Sequence, residues 1–379
     1  MTGDTSPYSR WRKRVILITV VSLLLAFSLG MLEGSGTHPR RKSHIKTWSR
    51  PGAGYQLEVD KTIPPNGDNA ITHAREDFNC DKCCYRYTTI ENGILEIRSK
   101  SELQERVCKK RLPDVIIFGM KKCGTTSLKN FLSYHPDIAF TQNELTFFSS
   151  SDRTKGVEFY RSEMVYSTPD QISIEKTPDY CHYPQVPRAI KAVLPNVKLI
   201  IIMRDPVERA ISDFVHMQVS LAKKCKKKSA CRLDDPAYYI ADTFEDSIID
   251  SNGDLNFSNL LVAKGVYVTY IRRYRKYFKP EQVLALDGET FIKNPYPAVK
   301  LVEQFLGIRD YFTRDHFYYD VQKGFFCLNK PIPNNCMKES KGRPHPEVND
   351  ETLRKLRDYY RPYNKALNKL MKVDFHWSS

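Results

Sequence analysis

The chain has 379 residues, enough for one large domain plus accessory segments. Its formal net charge of +15 points to acidic partners. Nucleic acid would be the obvious one for a soluble protein, but the N-terminal segment excludes it by placing the bulk of the chain in a lumen.

That segment is residues 15–31, VILITVVSLLLAFSLGM, uncharged and apolar and preceded by Arg10, Arg12, Lys13 and Arg14. Its length is the short end of a membrane span, and the basic flank holds the N-terminal side in the cytosol. A transmembrane signal anchor is expected, with residues 1–14 as a cytoplasmic tail. The alternative is a cleaved signal peptide, against which stand the long apolar region and the lack of a clear A-x-A site. A short span suits a thin early-secretory membrane, so the expected location is the Golgi membrane, single-pass type II with a lumenal domain. There the acidic partner is a sulfated or carboxylated glycan.

Residues 32–110 read as a lumenal stem: Gly, Pro, Ser, His and basic residues dominate 34–70, with little apolar periodicity. Cys80, Cys83 and Cys84 resemble half a zinc site, but a lumen favours disulfides and no second Cys/His pair stands at finger spacing. The ten cysteines fit an oxidising compartment, and the pairing of Cys80, Cys83, Cys84, Cys108, Cys123 and Cys181 is left open. Cys225 and Cys231 bracket one basic insert, Cys327 and Cys336 another segment. Asn256-Phe257-Ser258 is the single N-glycosylation sequon.

From residue 113 onward apolar runs alternate with helical stretches, which predicts an α/β sheet in a domain over 111–379. Strands are expected at 115–119, 172–176, 198–203 and 282–286. Helices are expected at 125–134, 186–193, 206–222, 238–250, 260–278, 295–306 and 350–371. Ligands of such sheets sit at the carboxyl ends of the strands. Basic stretches at 222–232 and 271–279 either line a groove for an acidic polymer or are solvated helix faces.

Two segments carry the chemistry. Residues 115–130, VIIFGMKKCGTTSLKN, are a β-branched strand, a turn bracketed by Gly119 and Gly124, two lysines, and Thr125, Thr126 and Ser127 opening a helix. Backbone N–H groups at a helix start, with the dipole and hydroxyls, hold phosphate. The glycine spacing is that of a nucleotide P-loop, but Thr125 stands where that motif needs lysine. The bland alternative is a strand-to-helix turn with surface lysines. About eighty residues later, VKLIIIMRDPVERAISDF (197–214) gives a strand of the type covered on both faces, ending at Arg204, then a helix carrying Ser212. Arg204 and Ser212 are placed to converge on one phosphate, unless Arg204 is a structural cap paired with Asp205 or Glu208.

The segments KKCGTTSL, HPDIAFTQNELTFF, ISIEKTPDY, RDPVERAISDF, KGFFCL and CMKESKGRPHPEV occur in the order seen in heparan sulfate glucosamine 3-O-sulfotransferases. The resemblance covers residues 113–377, and related N-sulfotransferase domains share parts of it. It implies a P-loop-kinase-like sulfotransferase fold, a central parallel sheet flanked by helices, using 3′-phosphoadenylyl sulfate (PAPS) as co-substrate without a metal. Lys122 would neutralise charge on the leaving phosphate. Gly124, Thr125 and Thr126 would bind the 5′-phosphosulfate, with Lys121, Cys123 and Ser127 completing the loop. Arg204 and Ser212 would hold the 3′-phosphate, and Lys341, Gly342 and Arg343 would close over the donor. Cys327 and Cys336 match a family disulfide. Glu144 lies where the family keeps its catalytic base, and Lys176 matches a lysine near the sulfuryl group and acceptor. Were it not for the resemblance, Glu144 would be a surface residue and Lys176 a partner for Glu175 or Asp179.

The sequence departs from the branch at Cys123 in place of a glycine, Thr126 of an arginine, Thr146 of a histidine and Ser149 of an aspartate. The last two sit near the acceptor in the family. The expected activity is sulfation of a glycosaminoglycan hydroxyl, foremost the 3-hydroxyl of glucosamine in heparan sulfate, with chondroitin or dermatan sulfate as alternatives. A catalytically inactive glycan-binding homologue is the rival from another class. A kinase or NTPase is disfavoured because the Gly-Lys-Ser/Thr end is missing and no Asp follows a strand to hold magnesium.

Overall fold

A computed structural model describes residues 87–89, 95–97, 108–225, 239–330, 336–337 and 343–377, all within the unit Pro65–Ser379. The expected anchor at 15–31, most of the stem, Cys80, Cys83, Cys84, Cys231, Lys341 and Gly342 lie outside the described residues, as does the side chain of Cys225.

The strands are β1 (Tyr87–Thr89), β2 (Leu95–Ile97), β3 (Lys109–Lys110), β4 (Val115–Gly119), β5 (Ile138–Phe140), β6 (Tyr166–Ser167), β7 (Ile172–Lys176), β8 (Lys198–Met203), β9 (Val283–Asp287), β10 (Phe317–Asp320) and β11 (Phe325–Leu328). The helices are α1 (Thr125–Leu132), α2 (Gly156–Glu163), α3 (Val186–Val193), α4 (Pro206–Cys225), α5 (Phe244–Ile248), α6 (Leu260–Ala263), α7 (Tyr267–Arg275), α8 (Gly288–Lys293), α9 (Pro295–Leu306) and α10 (Asp350–Met371).

The main sheet is parallel throughout, in the order β5-β7-β4-β8-β9. Helices cover both faces, which is why β4 and β8 read as unbroken apolar runs: Leu199, Ile200, Ile201, Ile202 and Met203 are all fully buried. The order matters more than the strands themselves. It sets β4 between β7 and β8, with Ile117 opposite both Lys176 and Ile200. The segments leaving these three strands, beginning at Met120, Thr177 and Arg204, therefore emerge side by side although up to about eighty residues separate them in sequence.

The predicted strands at 115–119, 172–176 and 198–203 form as expected, and the fourth runs one residue later than predicted. The helices at 186–193, 295–306 and 350–371 also match. The 238–250 helix is reduced to α5, started by Thr243, whose hydroxyl accepts from Asp246 N at 3.0 Å. The 260–278 helix breaks into α6 and α7 at Gly265. This glycine packs against the ring of Tyr360 from α10, so that an added Cβ would stand 2.6 Å from the ring carbon Cε1. Tyr360 is itself fully buried and donates its hydroxyl to Val262 O at 2.8 Å, so it has nowhere to move. Gly265→Ala is expected to cost ~1–3 kcal/mol of overpacking, read as a lower urea midpoint with an unchanged slope. α2 and α8 are absent from the sequence reading because they are short and weakly patterned; α2 buries a single residue, Tyr160.

Candidate active site

The loop from β4 into α1 is shaped by two left-handed residues, Lys122 (φ 72°) and Gly124 (φ 97°). A lysine with positive φ is uncommon and holds backbone strain, which the structure tolerates at functional sites. Gly124 is the position before α1 and offers no side-chain cap, and the first turn carries no acidic residue. The first N–H groups of α1 are thus left for an anion, with the positive end of the helix dipole behind them. Thr125 is buried, while Thr126 and Ser127 are partly exposed and Ser127 Oγ lies 3.3 Å from Met337 Sδ. Lys121 Nζ is 3.5 Å from the buried Asp213 Oδ1. Cys123 is fully buried with its thiol 3.9 Å from Tyr267 Oη, and burial pushes that thiol up to about 11, so it stays a neutral packing residue.

Arg204 leaves the end of β8, next to this loop. Its Nε donates to Glu289 Oε1 at 3.0 Å, and its Nη2 is 3.8 Å from Glu208 Oε2. Burial works against its charge, but Glu289, with Cys123 and Glu208, outweighs this and the guanidinium is held above its usual range. Asp205 is not its partner: that carboxylate accepts from Val207 N at 2.8 Å and caps α4. Glu289, on α8, is the partner sequence reasoning missed, since it lies 85 residues away. On α4, Glu208, Ser212 and His216 follow at four-residue intervals and share a face. Glu208 meets Arg204 and, at 3.4 Å, His345 Nδ1. Burial, then the charges of Lys122 and Lys121 with Arg343, push His216 down to about 4. Ser212 thus lies between an arginine at one end and the loop lysines at the other, and the 343–345 segment closes on the same face.

Beyond β7 the second half of the site assembles. Glu144 is exposed and its Oε1 accepts from Lys176 Nζ, whose side chain is 7% exposed. The sequence alternatives for Lys176 are both engaged elsewhere. Glu175 is fully buried and accepts from Tyr160 Oη and, at 2.7 Å, Thr177 Oγ1; burial raises its pKa. Asp179 pairs with Lys264 Nζ at 2.9 Å. The Glu144 loop is held downstream by Thr177 Oγ1, which accepts from Thr146 N at 3.3 Å, and by Tyr180 Oη, which accepts from Phe148 N at 3.2 Å. Thr146 is exposed with φ 54°, and Ser149 Oγ donates to its carbonyl at 3.1 Å. A carboxylate open to solvent and steered by a buried ammonium, beside a helix-start anion site, suits proton removal from a group attacking a bound anion.

The model of the sulfotransferase domain family matches residues 112–372. The chain is 35% identical over 300 residues to mouse heparan sulfate glucosamine 3-O-sulfotransferase 5, covering 77% of this chain and 83% of that protein. The chain belongs to the sulfotransferase family. Human heparan sulfate glucosamine 3-O-sulfotransferase 6 is 34% identical over 272 residues, covering 71% of this chain and 75% of that one. Among solved structures, a sulfotransferase from Alicyclobacillus acidocaldarius aligns with TM-score 0.49 and 20% identity, over 70% of this chain and 97% of that chain.

One residue of this sulfotransferase that the sequence did not single out is Lys129, on α1. Its Nζ donates to Thr141 O at 2.5 Å and to Gln142 O, holding the Glu144 loop from its upstream side. Burial, and then the nearby Lys176 charge, bring its pKa down to about 8, while Glu144 acts the other way. No periodicity marks this lysine, because its partners are carbonyls in the loop that follows β5. Lys129→Met keeps the stem over Phe140 and removes the carbonyl contacts; kcat is expected to fall roughly tenfold, as for one charged hydrogen bond, with donor KM unchanged in initial-rate assays.

Other expectations meet the structure as follows. Cys327 and Cys336 are joined, with Cα atoms 4.6 Å apart, while Cys123 and Cys181 are free and Cys108 is disulfide-bonded. Among the described residues the grouping of metal-type ligands is Asp320 with Cys327 and Cys336, whose sulfurs bond each other. Asn256 lies on a turn, its Oδ1 accepting from Ser258 N at 3.1 Å. The basic stretch 271–279 does not line the Glu144 side. It runs along α7 away from the site, toward the amino ends of the strands, where Gln282 Nε2 reaches Val197 O at 3.1 Å.

Proposed function

We propose that this sulfotransferase transfers a sulfuryl group from PAPS to the 3-hydroxyl of glucosamine in heparan sulfate. The observation that carries the reading is the Glu144–Lys176 pair beside a loop whose helix start and lysines are built for an anion. The donor supplies an activated sulfuryl group on a phosphate. The N–H groups of Gly124, Thr125 and Thr126 with the Thr126 and Ser127 hydroxyls receive its 5′ end. Arg204 and Ser212 take its 3′-phosphate, with Glu289 and Glu208 orienting the arginine until then. Arg343, beside His216, lies on the same side, and Lys341 and Gly342 precede it in sequence. Glu144 takes the proton of the attacking hydroxyl as its oxygen bonds to sulfur. Lys122 meets the charge left on the departing phosphate, and Lys176 orients Glu144 and faces the transferring group.

Residues 1–14 are read as a cytoplasmic tail, 15–31 as a membrane anchor and 32–110 as a stem, placing the domain over 111–379 in the Golgi lumen, with Asn256 glycosylated. Thr146 and Ser149 favour a second reading, a galactosamine or uronic acid hydroxyl in chondroitin or dermatan sulfate, because they alter the loop that carries the base. Incubation with labelled donor and heparan sulfate, desulfated heparin, chondroitin and dermatan, followed by disaccharide mapping, tests both. Label on the glucosamine 3-hydroxyl supports the first reading; label on another sugar replaces it with the second. No label on any acceptor, with donor still bound, indicates an inactive glycan-binding homologue.

A further inference from the structure

Two helices beside the sheet carry cations that the transfer site does not use. α3 and α7 run in the same direction, from the carboxyl toward the amino ends of the strands. Arg273 Nη1 donates to His182 O (3.3 Å) near the start of α3, and Lys191 Nζ, near its end, lies 5.4 Å over the Phe278 ring. Beyond them Gln282 Nε2 donates to Pro195 O at 3.2 Å, tying the two exit turns together. α7 buries Tyr267, Tyr270, Ile271 and Tyr274 against the core. Its other face carries Arg272, Arg275, Lys276 and Lys279, the i, i+3, i+4, i+7 pattern of one helix side continued into the following turn. Arg188 and Lys191 stand one turn apart on α3.

Among the described residues none of these six forms an ion pair, and Glu281 is the one carboxylate in 186–193 and 270–282. On α10, by contrast, three cations have local partners: Arg354 and Arg361 both face Asp358, and Lys355 faces Glu351. The difference is one of placement, since both helices are basic. Like charges gathered without partners repel one another, and a linear polyanion laid across them relieves that repulsion and releases its own counterions.

We infer that the α3–α7 face is a second anion-binding surface, which holds a distant stretch of a sulfated glycosaminoglycan while another stretch occupies the transfer site. The proposal rests on the acceptor class given above. The stripe from Arg272 to Lys279 is about 10 Å long at helical rise, and it runs from beside the start of α3 toward the amino ends of the strands, away from Glu144. A short oligosaccharide in the transfer site therefore does not reach it, whereas a long chain does.

The test compares the full-length chain with a variant carrying Arg272→Gln, Arg275→Gln, Lys276→Gln and Lys279→Gln. Immobilised heparin is expected to release the variant at lower salt. KM for long heparan sulfate chains should rise by about fivefold or more, as loss of several polyanion contacts predicts, with kcat and the kinetics on a tetrasaccharide unchanged. A charge-preserving variant, Arg272→Lys with Arg275→Lys, should behave as wild type. Unchanged heparin elution and unchanged long-chain KM would overturn the proposal, and so would an equal loss on the tetrasaccharide. Loss of binding to phosphatidylserine vesicles with heparin retention intact would assign the face to a membrane instead. Should wild type transfer to no glycan, the acceptor reading fails, while the heparin elution comparison still decides whether the face binds a sulfated polymer.

Discussion

Lys122→Ala is expected to lower kcat by ~10²–10³-fold, the loss typical of one positioned charge-stabilising donor. Alanine bears the same Cβ as lysine and so the same cost in the left-handed backbone that Lys122 adopts at φ 72°, which leaves the local backbone preference unaltered. Loop shape is then unchanged and the missing ammonium is the whole difference. A structural readout accompanies the kinetics. After burial, the Lys122 charge does most to hold His216 down to about 4. Its removal lowers the cost of the imidazolium, so the His216 midpoint should rise when followed by NMR titration. A variant with full turnover would sink the loop assignment. A large loss with an unmoved His216 would mean that the lysine does not lie where the structure puts it.

Glu144→Gln should cost ~10²–10⁴-fold in kcat, the contribution of a positioned general base. The substitution keeps size, and its amide oxygen still accepts from Lys176 Nζ. The loop is also pinned from outside by Lys129 at Thr141 and Gln142, and by Thr177 and Tyr180 at Thr146 and Phe148. Donor affinity, measured by calorimetry, is therefore expected to stay within about twofold, since size-preserving changes at an exposed side chain typically shift free energies by only about 0.5 kcal/mol. Unaltered kcat would remove Glu144 from the role of base. A parallel loss of donor affinity would show instead that the carboxylate shapes the loop.

The two phosphate segments were legible because each is local: a strand, a turn and a helix start lie within one stretch, and their residue types state the chemistry. β4 and β8 were legible for a related reason, as strands buried on both faces leave unbroken apolar runs. Glu144 was different. It sits in an exposed loop with no periodicity, and only its place in the NELTFF segment marked it. The helix break at Gly265 was hidden because its cause, the Tyr360 ring, arrives from a helix about ninety residues later. The basic stretch 271–279 was visible as a charge run, but sequence does not say which end of a helix faces the site.

By itself, then, the sequence determined the secondary-structure alternation, the anion-binding character of the loop after β4, the arginine after β8 and the net positive charge, all consequences of residues near one another in the chain. Only the tertiary structure decided the partners. The strand order β5-β7-β4-β8-β9 set Lys176 beside the loop and freed it for Glu144 by sending Glu175 to Tyr160 and Asp179 to Lys264. The same packing gave Arg204 to Glu289, Lys129 to the carbonyls of the base loop, and an unpaired basic face to α3 and α7. These are pairings across long sequence separations, fixed by which faces the sheet and its helices bury, and no local pattern encodes them.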